Sequence, residues 1–215
     1  ICQITPRYIG MIGQYQRILL QRNTLLKDIS YASALLDTLD IWDEKLSALG
    51  GVIIRMRMEY TRRLQKEAED IYKGISMERE SFSLDYRPFE LPVQEGQTQR
   101  EISSLLLEKM MQNRSEDLRS GSTGIGPHRD DLEISINGRS VRSFGSQGQQ
   151  RSSVLALKLA ESRCIGDILG ERPVILLDDV MSELDQNRRE YLLNHLTGSQ
   201  IFITCCDKGY FSRLE

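Results

Sequence analysis

Residues 174–179 read Val-Ile-Leu-Leu-Asp-Asp, four apolar residues followed by two carboxylates. An unbroken apolar run predicts a strand of a parallel sheet buried on both faces, where charge is tolerated only as the strand leaves the sheet at its carboxyl end. We therefore expect Asp178 to face a bound Mg²⁺, a hard cation that takes carboxylate oxygens. This is a Walker B pattern. The six residues alone are equally consistent with a buried strand that ends in a polar turn.

The segments around this strand predict a lobe of parallel strands covered by helices. Apolar side chains recur at helical spacing over 154–168 and 191–196, and 201–203 predicts a second apolar strand. Strand, helix and strand in that order imply a parallel sheet. Upstream, the alternating residues 132–136 run into Asn137-Gly138, the dipeptide that tight hairpins prefer.

The first 75 residues predict a different architecture, an all-helical arm. Apolar residues recur there at three- and four-residue steps in three segments, 8–26, 35–49 and 53–75. Gly50-Gly51 predicts a break or bend between the last two segments. The pattern changes to the alternation of a strand at 81–86. We therefore predict a helical arm at 1–78 and an α/β part at 79–215.

Composition and charge exclude several classes of protein. The chain is 40% apolar and 27% charged over 215 residues, which is typical of a globular protein and not of a disordered or membrane-spanning one. Its formal net charge is −3, so any contact with nucleic acid must come from a local patch. The four cysteines, Cys2, Cys164, Cys205 and Cys206, suit neither a disulfide framework nor a CxxC zinc site, and we expect them to be reduced.

The start of the sequence and its hydropathy carry two further expectations. No apolar stretch approaches the ~20 residues of a membrane span, and no basic-then-apolar leader is found. We therefore expect a cytoplasmic location and no membrane partner. Because the sequence opens with Ile1 and enters a helical pattern directly, we also expect it to be a piece of a longer protein.

A second motif leads into the helix predicted at 154–168. It reads Phe144-Gly145-Ser146-Gln147-Gly148-Gln149-Gln150-Arg151. Ser146 and Gln149 have the spacing of a capping box, and Gly148 lacks the side chain that would keep a phosphate away from the backbone. Such a helix start presents free N–H groups and the positive end of the helix dipole, which is a ready anion site. The alternative is a capped helix without a ligand.

The residues that follow the Walker B pattern form a third motif, Ser182-Glu183-Leu184-Asp185. It stands where ABC-type ATPases carry their D-loop, Ser-x-Leu-Asp. The alternative is an ordinary helix cap, because Ser and Asp are favoured at that position whatever the function.

Together these motifs resemble the RecF family, which lies in the SMC-like branch of the ABC superfamily. Gly145 to Gln149 is similar to the ABC signature Leu-Ser-Gly-Gly-Gln, from which Gly145 and Gln147 depart. Other stretches that resemble RecF hallmarks are Ser146 to Arg151, Gly126-Pro127-His128-Arg129-Asp130-Asp131, Tyr15, Gln21-Arg22-Asn23 and Leu25-Leu26-Lys27. The resemblance runs from end to end. It implies the C-terminal lobe of an ABC-ATPase-like P-loop NTPase, with the N-terminal Walker A lobe missing, plus the helical arm.

The family resemblance also implies a function. RecF-like proteins are recombination mediators in DNA repair and replication, with ATP-dependent binding to DNA at gaps and single-strand–duplex junctions. The implied partners are DNA, a second copy in an ATP-dependent homodimer, other recombination mediators and RecA, whose loading links the family to the SOS response. The implied cofactors are ATP and Mg²⁺.

The resemblance assigns roles to the motif residues. Ser146, Gly148 and Gln149 would contact the γ-phosphate of an ATP held by the partner subunit. Asp178 would hold magnesium through water, and Asp179 would occupy the place of the catalytic Glu of most ABC ATPases. Since Asp is shorter, it reaches the attacking water less well, and slow hydrolysis is expected. The resemblance implies that this hydrolysis depends on DNA. Ser182 and Asp185 would form the D-loop, and Thr204 stands near the place of the switch His of transporters.

This chain does not contain the Walker A loop that would grip its own ATP. That loop needs Gly-Lys followed by Ser or Thr, and none of the lysines follows a glycine. A helix N-terminus contributes at most ~2 kcal/mol to a bound anion, whereas even millimolar binding needs about 4 kcal/mol. We therefore predict that the chain alone shows no measurable ATP hydrolysis.

Two further groups of residues have open interpretations. The basic residues Arg55, Arg57, Arg62, Arg63 and Lys66 are candidates for phosphate contacts with DNA, or they form the solvated face of a long helix that also carries glutamates. For His128 and Arg129 we favour a structural role. Two other functions also stay open: an SMC-like or other ABC ATPase head, and a non-enzymatic interaction module with vestigial motifs.

Overall fold

The computed structural model describes residues 1–29, 33–195 and 199–207. Its first half consists of α1 (Pro6–Ile29), a 3-10 turn (Ser33–Thr38), α2 (Leu39–Ile75), β1 (Phe82–Arg87), α3 (Gln99–Gln112) and α4 (Arg114–Ser120). Its second half consists of β2 (Asp131–Ile136), β3 (Arg139–Ser140), α5 (Val141–Phe144), α6 (Gln147–Leu169), β4 (Ile175–Asp178), a 3-10 turn (Val180–Glu183), α7 (Gln186–His195) and β5 (Ile201–Thr204).

Two compact units divide the chain. Unit 1 consists of Ile1–Tyr60 and Tyr86–Leu132, and unit 2 consists of Thr61–Asp85 and the chain from Glu133 onward. The limits fall inside α2, β1 and β2, so that each of these elements contributes residues to both units. The described part of the predicted arm is helical as far as Ile75, as expected. Each compact unit contains residues from both predicted domains. The division into domains at 1–78 and 79–215 stays a prediction.

Helix α2 runs without a break through Gly50 and Gly51, so the break predicted there is wrong. The two glycines instead allow α3 to approach closely. A Cβ on Gly50 would lie 2.5 Å from Cδ2 of Leu106, and a Cβ on Gly51 would lie 2.1 Å from Oγ of Ser103. At Gly51 the Cβ would also lie 2.9 Å from backbone atoms of Ser103, so a larger residue there would push the two helices apart.

The core of unit 1 is formed by α1, α2 and α3 together with the segments that follow β1 and α4. Its buried side chains are Tyr8, Tyr15, Ile18, Leu46, Ile53, Ile54, Leu91, Ile102, Leu106, Met110 and Ile125. Those from the helices come from the apolar stripes of the sequence, because residues three and four apart lie on one face of a helix.

The hairpin predicted around Asn137-Gly138 is present. Ile136 pairs with Arg139 in an antiparallel register, and both turn residues have positive φ, 50° for Asn137 and 73° for Gly138. These values match the two-residue hairpin turn that Asn-Gly favours. The three strands are ordered β1-β2-β3, and α5 begins at Val141, directly after β3.

Strands β4 and β5 pair in parallel, as predicted, with Asp178 opposite Thr204. Within this chain the expected burial is found on one face only. Leu177 is 7% exposed, whereas Leu176 is 73% and Phe202 is 55% exposed. Since successive side chains of a strand point to opposite faces, one face of the pair is covered and the other faces solvent. The helix predicted at 191–196 is found as the last part of α7, which ends at His195; Leu196 lies outside the described residues.

Candidate functional site

Helix α6 begins with the capping box that the sequence predicted. Ser146 is the N-cap, with φ −62° and ψ 159°, and its Oγ accepts a hydrogen bond from the backbone N–H of Gln149 at 3.2 Å. In return, Oε1 of Gln149 accepts from the backbone N–H of Ser146 at 2.9 Å. Ser146 is exposed, and the first N–H groups of a helix have no partner within the helix. The capping box uses the N–H groups of Ser146 and Gln149, so the start of α6 offers those of Gln147 and Gly148 to an anion from solvent.

The carboxamide of Gln149 has a second partner outside the motif. Its Nε2 donates to Oε1 of Glu80 at 2.7 Å, and Oε2 of the same carboxylate accepts from the hydroxyl of Tyr72 at 2.7 Å. Burial, followed by the bond to Glu80, raises the pKa of Tyr72. The signature glutamine is thus tied to the last turns of α2, a link that the sequence did not suggest.

The two carboxylates after β4 lie at the exposed end of the strand pair. Thr204 at the end of β5 connects them: its hydroxyl donates to Oδ1 of Asp178 and accepts from the backbone N–H of Asp179 at 3.0 Å. Asp179 has left-handed backbone, with φ 50° and ψ 22°, a strained conformation that is found often at functional sites. Both aspartates are exposed, so water and ions reach their side chains.

The D-loop residues form the turn between β4 and α7. Oγ of Ser182 donates to the carbonyl oxygen of Asp179 at 2.9 Å. Asp185 caps the start of α7: its Oδ1 accepts a hydrogen bond from the backbone N–H of Arg188 at 3.0 Å. The cap that we considered as an alternative is therefore present, and it is compatible with a D-loop, since Ser182 and Asp185 are both exposed.

Arg188 joins the D-loop to the signature. Its Nε lies 3.4 Å from Oδ2 of Asp185, and its side chain is only 21% exposed. Its Nη1 lies 2.9 Å from the position that a Cβ on Gly148 would occupy. The glycine of the signature therefore makes room for this arginine. The sequence held no signal for Arg188, because its partner Gly148 is in a different helix.

The candidate DNA-binding residues differ in their surroundings. Nε of Arg55 bonds to Oε1 of Glu59 at 2.9 Å, one turn further along α2. Arg62, Arg63 and Lys66 are exposed on the same helix. The structure gives these residues the solvent access that a phosphate contact needs, and their role stays a prediction.

Arg57, which we grouped with this basic cluster, belongs to a network inside unit 1. Its Nε donates to the hydroxyl of Tyr8 at 2.9 Å and its Nη1 donates to the carbonyl oxygen of Pro127 at 2.5 Å. Nη1 also lies 3.6 Å from Oδ2 of the nearly buried Asp130, which accepts from the hydroxyl of Tyr86. The guanidinium group is thus bonded within unit 1, and the assignment of Arg57 to a phosphate contact stays a prediction.

His128 has the structural role that we favoured. Its Nε2 lies 3.0 Å from the carbonyl oxygen of Thr123, and we assign the proton to this nitrogen because a carbonyl only accepts. Nδ1 then accepts from the hydroxyl of Tyr15 at 2.8 Å. Burial lowers the pKa of His128, which favours the neutral ring. The RecF-like residues of α1 and of 126–131 are thus in direct contact within unit 1.

The aspartates fit a magnesium ion that completes its shell from elsewhere. In the described part of the chain, no three His, Cys, Asp or Glu side chains come together to hold a metal by themselves. Mg²⁺ needs no such group, since it is commonly held by one or two carboxylates with waters and substrate phosphates. The exposed Asp178 is the residue that would hold it.

Two other observations bear on the expectations from composition. All four cysteines are free. Among the residues that the structure describes, no helix has the length and apolar character needed to cross a bilayer.

Comparison with known proteins gives strong similarity over nearly the whole chain. It is 43% identical over 211 residues to the DNA replication and repair protein RecF of Acetivibrio thermocellus, covering 98% of this chain and 57% of the relative. It is 42% identical over 215 residues to the protein of the same name from Ruminiclostridium cellulolyticum, again covering 57% of the relative. The chain thus spans a little over half the length of these relatives. No family model matches the chain.

Solved structures agree with this result. A structure described as the recombination mediator protein RecF-ATP in the RecFOR pathway superposes with a TM-score of 0.85 at 36% identity, covering 95% of this chain and 54% of the other. A second, described as RecF-ATPrS in the same pathway, gives a TM-score of 0.84.

The fold is that of the C-terminal lobe of an ABC-ATPase-like P-loop NTPase with a helical arm, which confirms the predicted fold class. Within that class the chain is homologous to RecF proteins: it is 42–43% identical to two of them over at least 98% of its own length and a little over half of theirs.

Proposed function

We propose that this chain supplies one half of an ATP-dependent RecF dimer that acts as a recombination mediator in DNA repair and replication. The start of α6 contacts the triphosphate of an ATP that is bound to the partner subunit. The dimer binds duplex and gapped DNA in the cytoplasm and assists other mediators in loading RecA. This proposal rests on the RecF relatives, which carry the name DNA replication and repair protein.

One observation carries the proposal more than any other. Within unit 2, Arg188 contacts both the signature glycine, Gly148, and the D-loop aspartate, Asp185. Two motifs separated by about forty residues therefore form one surface feature, as a nucleotide-dependent interface between subunits requires. Ser146 is exposed beside them.

The residues at the end of β4 have the chemistry that the proposal needs. Asp178 would hold Mg²⁺, which would neutralise phosphate charge. Asp179 would orient the attacking water as a general base. Thr204 holds Oδ1 of Asp178 and the backbone of Asp179 in fixed positions. The chain by itself has no Gly-Lys pair to hold ATP, so these groups act only when a Walker A loop is supplied.

The proposal is tested in a full-length chimera in which residues 1–215 replace the matching part of Acetivibrio thermocellus RecF. Light scattering measures association with and without ATP and Mg²⁺, and fluorescence anisotropy measures binding to a gapped duplex. We expect ATP to induce a dimer and to tighten DNA binding. Ser146→Arg should abolish both effects, because the new side chain would occupy the space of the phosphate.

Ser115→Arg is the matched control, since Ser115 is an exposed serine of α4 in the other unit. Thermal unfolding verifies that each variant folds, because loss of an N-cap costs about 1 kcal/mol. A chimera that stays monomeric with ATP, or one that dimerises equally well with Ser146→Arg, would contradict the proposal. Association that does not depend on ATP would favour an interaction module.

A further inference from the structure

Glu80 lies in the segment between α2 and β1, outside every motif, and yet it contacts the signature. It is 69 residues from Gln149 in sequence, and its Oε1 accepts from Nε2 of that residue at 2.7 Å. Glu80 is half-buried. The contact lies wholly within unit 2.

The carboxylate is itself held in place from its other side. Its Oε2 accepts from the hydroxyl of Tyr72 at 2.7 Å. Tyr72 is fully buried in α2, and its ring stacks on Phe82 of β1 with centroids 5.1 Å apart. The position of Glu80 is therefore set by a hydrogen bond to a buried side chain of the unit.

Glu80 selects the orientation of the Gln149 carboxamide. An ionised carboxylate only accepts hydrogen bonds, so it requires the NH₂ end of the amide and turns the oxygen end toward Ser146. That oxygen is the acceptor for the backbone N–H of Ser146. With the amide reversed, its NH₂ group would face this N–H, two donors would oppose each other, and half of the capping box would be lost.

We propose that Glu80 is a positioning residue of the signature, which fixes Gln149 and through it the backbone of Ser146 for contact with the partner's ATP. This inference rests on the proposed function. To the proposed function it adds Glu80 as the residue that connects the nucleotide contact to α2, because this carboxylate binds Gln149 on one side and Tyr72 on the other.

The first test uses the chain itself and does not depend on ATP. Amide hydrogen exchange of Ser146, measured by NMR, should be about tenfold faster in Glu80→Ala, which corresponds to about 1.4 kcal/mol. Glu80→Gln should restore slow exchange, since its carbonyl oxygen can accept from Gln149 while its NH₂ donates to Tyr72. Glu78→Ala is the matched control, because Glu78 is an exposed carboxylate two residues away whose ion pair is with Lys73. Unchanged exchange in Glu80→Ala would overturn the inference.

The second test uses the full-length chimera. Glu80→Ala should raise the ATP concentration for half-maximal dimerisation about tenfold, whereas Glu80→Gln and Glu78→Ala should stay within twofold of the parent. A role in stability alone would lower the unfolding temperature without this shift, or would leave Glu80→Gln as defective as Glu80→Ala, and either result would overturn the inference. If the parent dimerises and only Ser146→Arg fails, the proposed function stands without Glu80. If the parent shows no ATP effect, the proposed function fails, and the exchange experiment still decides the role of Glu80 in the cap.

Discussion

Replacement of Arg22 by alanine should strongly destabilise unit 1. Arg22 is completely buried. Its Nε donates to Asp43 at 2.6 Å, and its Nη1 donates to Asp117 at 2.7 Å and to Thr123 at 2.8 Å. Both aspartate side chains are 1% exposed. Arg22→Ala would therefore leave two carboxylates in a dry environment without their shared cation.

The remaining partners of the two carboxylates determine the size of the effect. Removing one partner of a buried ion pair usually costs about 3–5 kcal/mol of stability. Asp43 keeps an ion pair with Arg114 at 2.7 Å, and Asp117 keeps bonds from Asn113 at 2.7 Å and from the backbone of Gly124 at 2.9 Å. We therefore expect the lower end, about 3 kcal/mol. This is a large part of the roughly 5–15 kcal/mol of a typical domain.

Urea unfolding followed by tryptophan fluorescence is the appropriate assay. Trp42 is the sole tryptophan of the sequence and lies in unit 1, next to Asp43. With a slope of about 2 kcal/mol/M, the midpoint should fall by about 1.5 M. Arg17→Ala is the control, since Arg17 is exposed on the same helix. Arg22→Lys should be intermediate, because an ammonium group cannot reproduce the planar fork. Equal midpoints for Arg22→Ala and Arg17→Ala would refute this account of the network.

Two further predictions concern unit 1. Gly51→Ala should lower the free energy of unfolding by at least about 1–3 kcal/mol through overpacking, because its Cβ would lie 2.9 Å from the backbone of Ser103. Gly10→Ala is the control: its Cβ would meet no atom within 4 Å, so it should be neutral or stabilising in the same urea experiment. The lowered pKa of His128 means that the unfolded chain, with a His pKa of about 6.5, binds more protons than the folded one as pH falls. The contribution of His128 to stability should therefore be complete above about pH 6.5 and should decline as the pH falls toward the lowered pKa of the folded state. In His128→Gln the slope of unfolding temperature against pH should be smaller in this range. An unchanged slope would count against this interpretation.

Local features of the site could be read from the sequence because their causes are local. The cap at Ser146 needs only a partner three residues later, and the tight turn at Asn137-Gly138 needs only two residues that accept positive φ. The carboxylates of Asp178 and Asp179 follow an apolar strand directly. For the cap and the turn the deciding contacts lie within a few residues, and the structure has them where the pattern predicted.

The long-range features were missed for the opposite reason. Gly50-Gly51 has the composition of a helix break, and only the approach of α3 shows that the pair serves close packing. Arg57 has the appearance of one more basic residue on a helix face until it is placed against Pro127 and Asp130. An apolar run also has no periodicity to show which face of β4 this chain itself covers.

The sequence by itself determined most of the helices and strands, the cap of α6 and the resemblance to RecF, because hydrophobic spacing and short motifs act over one or two turns of chain. Only the tertiary structure decided which residues support the site. Arg188 and Glu80 reach Gly148 and Gln149 across 40 and 69 positions of sequence, and such pairings depend on how helices and strands pack. A hydrogen bond or ion pair requires atoms within about 3–4 Å, and in a folded chain that proximity is set by packing and not by order in the sequence.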